Sequence, residues 1–325
     1  MELTERMSSV KLQVWKGRLA GERSWVALVA LADRSMFLAP PVGEIPAAAP
    51  PDSATQHAML ARTIEYVDKT ISKLPNFFAT RTTVQYDEPP QEEGQTWKTV
   101  AGDQSLHKLE TFNTAVLFRN NQEVLDADGR KERKARAPER SLITVGTFGP
   151  ILAMVLQGAT APGSDLKWTR WEKGVSSSLA VFSFAVPRSL PLFEVGFCCL
   201  ADPDGTLPFK TRTGYHGEFA IDLVSGAILR LTVQSDLEPR LPIIQSGIMV
   251  EYGSVEVGGQ NYICPLRSVS LQRQRTVSVL HELGKGFGVY GPFATVLDDV
   301  AFSQYHMFRG EARVLSGDET PPEEK

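Results

Sequence analysis

Apolar residues recur with a helical period at the start of the chain. Leu3, Met7, Val10 and Val14 stand at i, i+4, i+7 and i+11, which is one face of a helix. Over residues 24–37, Trp25, Leu28, Ala32 and Met36 fall on one side of a second helix. Residues 39–52 then read APPVGEIPAAAPPD. Proline fixes φ and lacks a donor N–H, so this stretch predicts a semi-rigid linker. Ser53 is suited to cap the next helix, whose face carries Leu60, Ile64, Val67, Ile71 and Leu74 before Pro75 ends it.

After Pro75 the period falls from 3.6 to 2. Residues 77–86 and 111–119 read as strands, and Asn120-Asn121 suggests a hairpin turn. Strands follow over 168–171, 176–186 and 193–200. The clearest alternation is 215–223. Tyr215, Gly217, Phe219, Ile221 and Leu223 share one face, and His216, Glu218, Ala220 and Asp222 share the other. Val224-Ser225-Gly226 turns the chain, and Ala227, Leu229, Leu231 and Val233 return on one side. Strands continue over 248–252, 255–257, 262–271, 296–302 and 307–315, roughly ten to twelve in all. No βαβ alternation appears, so the sheet is expected to be antiparallel.

The chain has 325 residues, with 42 % hydrophobic and 22 % charged, enough for a sizeable core. The change of period divides it. Residues 1–52 form a helical segment and linker, 53–315 a helix plus sheet domain, and 316–325 a polar tail expected to be disordered. The fold class is therefore α+β: N-terminal helices followed by one large, curved antiparallel β-sheet. A formal charge of −4 excludes a globally basic nucleic-acid binder. Residues 130–140 carry six bases against two acids, but no aromatic is interleaved to stack on bases, so a solvated loop is expected.

Residues 141–164 hold no charge, a length that could span a bilayer. Gly146, Gly149, Pro150, Gly158, Pro162 and Gly163 break the apolar run, so a buried strand and short helix are predicted, not a transmembrane segment. No secretory signal stands at Met1, although the helical pattern already running at Leu3 fits a trimmed start.

Candidate chemistry is sparse. The segment 286–291 reads GFGVYG, but Pro292 and a β-like run follow where a dinucleotide site needs a helix. His281-Glu282 starts a zincin motif that Lys285 breaks. The five histidines share no metal-ligand spacing, and no motif implies a cofactor. Tyr215-His216 and Tyr305-His306 each place neighbours on opposite faces of a strand, so one of each pair can line a cavity. His216 with Glu218 nearby, or His306 after Asp298 and Asp299, could serve as a general base. Cys264 could pair with Cys198 or Cys199, or all three could be inert buried thiols.

Residues 214–222 (GYHGEFAID) and 225–230 (SGAILR) are joined by 248–253 (IMVEYG), 257–259 (VGG), 262–265 (YICP), 297–308 (LDDVAFSQYHMF) and 74–81 (LPNFFATR). Together they resemble a group of uncharacterised, generally exported bacterial proteins frequent in acidobacteria. The antiparallel hairpins of I-D-x-x-S-G-x-I-x-R type are similar to the LolA/LolB-like outer-membrane lipoprotein carriers. That resemblance implies an incomplete barrel with helices over its opening, an acyl-chain ligand, and a periplasmic or outer-membrane-associated place. The leading expectation is thus a non-catalytic envelope protein binding a lipid or other apolar ligand. Tyr215, Phe219, Ile221, Leu229, Leu231, Val250, Tyr252 and Tyr262 are the candidate lining. The alternatives are an envelope scaffold that uses the N-terminal helices to contact a protein partner, and a hydrolase centred on His216 or His306.

Overall fold

A computed structural model describes residues 3–19, 21–71, 73–88, 106–125, 142, 146–174, 177–190, 193–238, 240–282 and 285–307. The basic segment 130–140 and the tail 316–325 lie outside the described residues.

Among the described residues four α-helices precede or interrupt the strands: α1 (Ser9–Lys16), α2 (Glu22–Arg34), α3 (Ser53–Ile71) and α4 (Pro150–Ala159). Leu3 and Met7 carry the helical period yet precede α1, because Ser8 caps it by accepting from the Lys11 N–H. The cap of α3 is Asp52, not Ser53: its carboxylate accepts from the Thr55 N–H at 2.7 Å. Pro150 opens α4 at a position whose N–H would have had no helical partner.

The strands are β1 (Phe77–Asp87), β2 (His107–Arg119), β3 (Gln122–Leu125), β4 (Asp165–Lys173), β5 (Ser178–Val186), β6 (Phe193–Asp202), β7 (Gly205–Asp222), β8 (Ile228–Asp236), β9 (Ile243–Val257), β10 (Gln260–Glu282) and β11 (Lys285–Met307). They form one antiparallel sheet in the order β3-β2-β1-β11-β10-β9-β8-β7-β5-β4, with β6 pairing β7 off that path. Among the described residues the sheet is open: β3 and β4 end that path, and β6 is paired on one side only. The β2–β3 turn places Asn120 and Asn121 at φ 52° and 60°, the left-handed pair a tight hairpin needs. The GFGVYG segment is not a phosphate loop; it runs inside β11, paired with β10.

Successive residues of a strand face opposite ways, so both faces of this sheet can be read along β9. Ile248, Val250 and Tyr252 join a cluster with Phe182, Phe184, Tyr215, Phe219, Ile221 and Leu231, covered by Leu60, Ile64 and Val67 of α3 and Ile151, Val155 and Leu156 of α4. Met249 points the other way, with Val269, Leu271 and Leu297, onto Ala30, Met36 and Phe37 in and after α2. The helices thus sandwich the sheet. The N-terminal segment takes one face, and α3 and α4 take the other.

Cys264 is a free, buried thiol, so the bridge to Cys198 or Cys199 does not form. Burial pushes its pKa up to about 12. Among the described residues no helix is long and apolar enough to cross a membrane.

Candidate functional site

Tyr215, Phe219, Ile221, Leu231, Val250 and Tyr252 meet on the face beneath α3 and α4, all of them buried. Strand register brings them together: Phe219 lies opposite Phe182 on one side and Leu231 on the other, and Leu231 lies opposite Val250. The surface is well packed. Phe182 and Phe184 stack on Phe219 at ring-centroid distances of 5.9 and 6.0 Å.

Two tyrosines tie the α4 region to this surface. Tyr215 Oη donates to the Met154 carbonyl at 3.2 Å, and Tyr252 Oη donates to the Thr147 carbonyl at 3.0 Å. Burial pushes the Tyr215 phenol up to about 12 and raises that of Tyr252 further, so both stay neutral donors. Gly158 of α4 sits over Tyr215 so closely that a Cβ there would lie 2.1 Å from the phenol oxygen. Just before α4, the Glu123 carboxylate accepts from the Gly146 and Thr147 N–H groups at 2.8 and 3.1 Å. Burial raises its pKa in spite of those bonds. Across the sheet face, α3 is held by Arg62, whose guanidinium donates to the Leu223 carbonyl at 2.8 Å.

Leu229 does not join this face. The pairing runs from Ala220 opposite Arg230 to Ile221 opposite Ile228, which leaves Leu229 as an extra residue in β8. A bulge of this kind throws one side chain across the sheet. Leu229 packs instead with Leu179, Val181 and Ala220 on the other face. Tyr262 is also separate. It is half-buried against the cluster of Phe77, Phe118, Phe302 and Tyr305, and it lines an open cavity of about 460 Å³ with Arg62, Lys69, Lys73 and Ser225.

The histidines part company. His216 is half-exposed, its Nδ1 2.6 Å from Asp236 Oδ1. It lines a cavity of about 330 Å³ with Ser183, Glu218 and Thr232. The pair could orient an imidazole as a general base. Among the described residues no hydroxyl or thiol hydrogen-bonds that ring, and Glu218 is occupied by two bonds from Arg170 at 2.6 and 2.7 Å. His306 lies exposed opposite Phe78 of β1.

Pattern reading missed the main polar constellation. Glu172 is buried and accepts from Arg6, Arg170 and Arg230. Burial alone would raise its pKa, but the three guanidiniums hold it down at about 2. A second ion group joins Asp33 of α2 to Arg267, which also donates to Asp299 at 2.8 Å. Burial, with the Asp299 charge, pushes Asp33 well above the usual carboxylate range. These groups fasten the N-terminal segment to the sheet. Among the described residues no three metal-ligating side chains come together.

No family model, curated protein or solved structure matches the chain.

Proposed function

We propose that the chain is a non-catalytic envelope protein that takes a lipid or other apolar ligand between its sheet and the cover made by α3 and α4. The observation that carries this reading is the continuous apolar face of Tyr215, Phe219, Ile221, Leu231, Val250 and Tyr252. Its cover is two helices with few polar ties to the sheet. The face is closed, so uptake requires α3 or α4 to lift. An incomplete barrel of LolA-like type, working at the periplasmic side of an outer membrane, is the arrangement that would use such a cover.

Native mass spectrometry of the purified protein, with organic extraction of its bound species, tests the reading. Co-purifying acyl-chain compounds, or stoichiometric uptake of a fatty acid from solution, are expected. A folded protein that takes up no amphiphile refutes it. Fractionation of cells expressing the full-length gene tests the compartment.

The His216–Asp236 contact favours hydrolysis as a second reading. A panel of chromogenic esters would show turnover abolished by His216→Ala and strongly reduced by Asp236→Asn. Unchanged background rates in both variants remove it.

A further inference from the structure

The face beneath the helices does not stay apolar across the whole sheet. Strand register defines two rows that run along it. The first passes from Thr83 through Val300, Ser268 and Val250 to Leu231 and Phe219. The second passes from Gln85 through Asp298, Ser270 and Ile248 to Val233 and Gly217. Directly opposed residues share a face, so each row is one continuous line of side chains. Both change character between β10 and β9. Hydroxyl, amide and carboxyl groups dominate on β1, β11 and β10, and hydrocarbon on β9, β8 and β7.

The polar half contains groups whose hydrogen-bonding capacity is unused. Thr83, Gln85 and Ser268 are each 0–1 % exposed. Among the described residues the Thr83 and Ser268 hydroxyls and both ends of the Gln85 amide have no hydrogen-bond partner. More than nine in ten buried polar groups in proteins are satisfied, so neighbouring exceptions on one face call for a cause. A packed core gains nothing from them, because Met, Val and Ala fill the same volumes without the desolvation cost.

We propose that these residues form a headgroup site for the neutral, hydroxyl-rich head of an amphiphile whose chain lies on the adjoining apolar half. The proposal rests on the apolar-ligand reading above. Hydroxyls and amides offer donors and acceptors together, the pattern that matches a polyol and not a single-sign charge. Asp298, fully buried in the second row, disfavours an anionic head there. Arg81 follows on the same face of β1, but its charge acts on Glu123. The distance suits one molecule: three strand spacings separate Ser268 from Phe219, about 14 Å. The closed face bears the unmet hydrogen bonds as a standing cost, and a bound head would remove it.

Full-length protein titrated with octyl glucoside below its critical micelle concentration, followed by native mass spectrometry, provides the test. Octanoate supplies the same chain with a charged head. Methyl glucoside supplies the head alone. Octyl glucoside is expected to bind about tenfold or more tighter than octanoate. The isosteric changes Gln85→Met and Ser268→Ala, singly and together, are expected to erase that preference while raising Tm. Equal affinities for the two amphiphiles, or variants that keep the preference or melt lower, overturn the headgroup site and leave the apolar-ligand reading standing. Binding of neither amphiphile overturns that reading itself. Binding of methyl glucoside as tightly as octyl glucoside shows a sugar site with no role for the apolar face and also overturns the proposal.

Discussion

Replacing Glu172 by glutamine should be among the most damaging single changes of a polar residue in this protein. Its carboxylate takes five charge-assisted hydrogen bonds. Arg6 donates at 2.7 Å, Arg230 at 2.7 and 3.0 Å, and Arg170 at 3.0 and 2.6 Å. The side chain is only 5 % exposed, so solvent screens these contacts little. A carboxyl held at about 2 instead of its ordinary 4.5 favours the folded state when ionised. At about 1.4 kcal/mol per unit, that is a contribution of about 3 kcal/mol at neutral pH. Glutamine cannot accept five such bonds, and it leaves three guanidiniums facing one another. The expected loss is therefore about 3–5 kcal/mol. The sign of the pH effect follows from a depressed pKa. The contribution is complete above the unfolded value near 4.5 and is lost as pH falls towards about 2. Guanidinium unfolding of both proteins at a series of pH values measures this. The gap between them should be wide at pH 7 and close progressively below pH 4.5. A gap under about 1 kcal/mol at pH 7, or one that stays constant into acid, refutes the assignment.

Three further outcomes are open to direct measurement. Gly158→Ala drives a methyl into the Tyr215 phenol oxygen and should cost about 1–3 kcal/mol, and adding Tyr215→Phe, which removes that oxygen, should recover part of the loss in a thermal double-mutant cycle. Cys264, buried and raised to about 12, should resist iodoacetamide at pH 8 in the folded protein and react once it is unfolded, which peptide mass mapping would show. Asp236→Asn breaks a contact between two half-exposed side chains and should move stability by less than about 1 kcal/mol in a urea melt.

What the sequence made legible is what is local. The alternation in 215–223 places Tyr215 and Phe219 inside and His216 outside, and the sheet agrees because at 215–219 one face is buried and the other is partly exposed. The helix that precedes Pro75 and the Asn-Asn turn are equally local, and the turn is set by left-handed backbone. Leu229 misled because a bulge is a property of two paired strands, and nothing in 227–233 alone reveals that Ile221 pairs with Ile228. The glycines of 286–291 likewise answer to a distant part of the chain. A Cβ on Gly288 would lie 2.1 Å from the Gly205 carbonyl, so the absent side chain answers a close approach by the distant β6–β7 hairpin. The Glu172 network was invisible in principle. Arg6 and Glu172 stand 166 positions apart, and each alone looks like an ordinary surface charge.

The proline-rich linker gains a physical role from the sandwich. It joins α2 on one face to α3 on the other, so the chain must pass an edge of the sheet. Trp171 of edge strand β4 donates its indole N–H to the Ala49 carbonyl at 2.9 Å, which fixes where the linker passes. An exposed strand edge is a template for pairing with another molecule, and native sheets shorten or cover it. The described part of β3 is short, four residues, and the linker touches β4 at Trp171. An ion network and an apolar patch therefore depend on the same N-terminal segment. Deleting residues 1–52 should not release a free sheet domain. It strips Arg6 from Glu172, uncovers the apolar patch of Met249, Val269 and Leu297, and removes the Ala49 contact of Trp171. Light scattering of the truncated protein should show aggregation at concentrations where the full chain is dispersed. A truncated chain that stays monomeric, with the melting temperature of the intact protein, would mean that the N-terminal segment is an appendage and that the sheet manages its own edge.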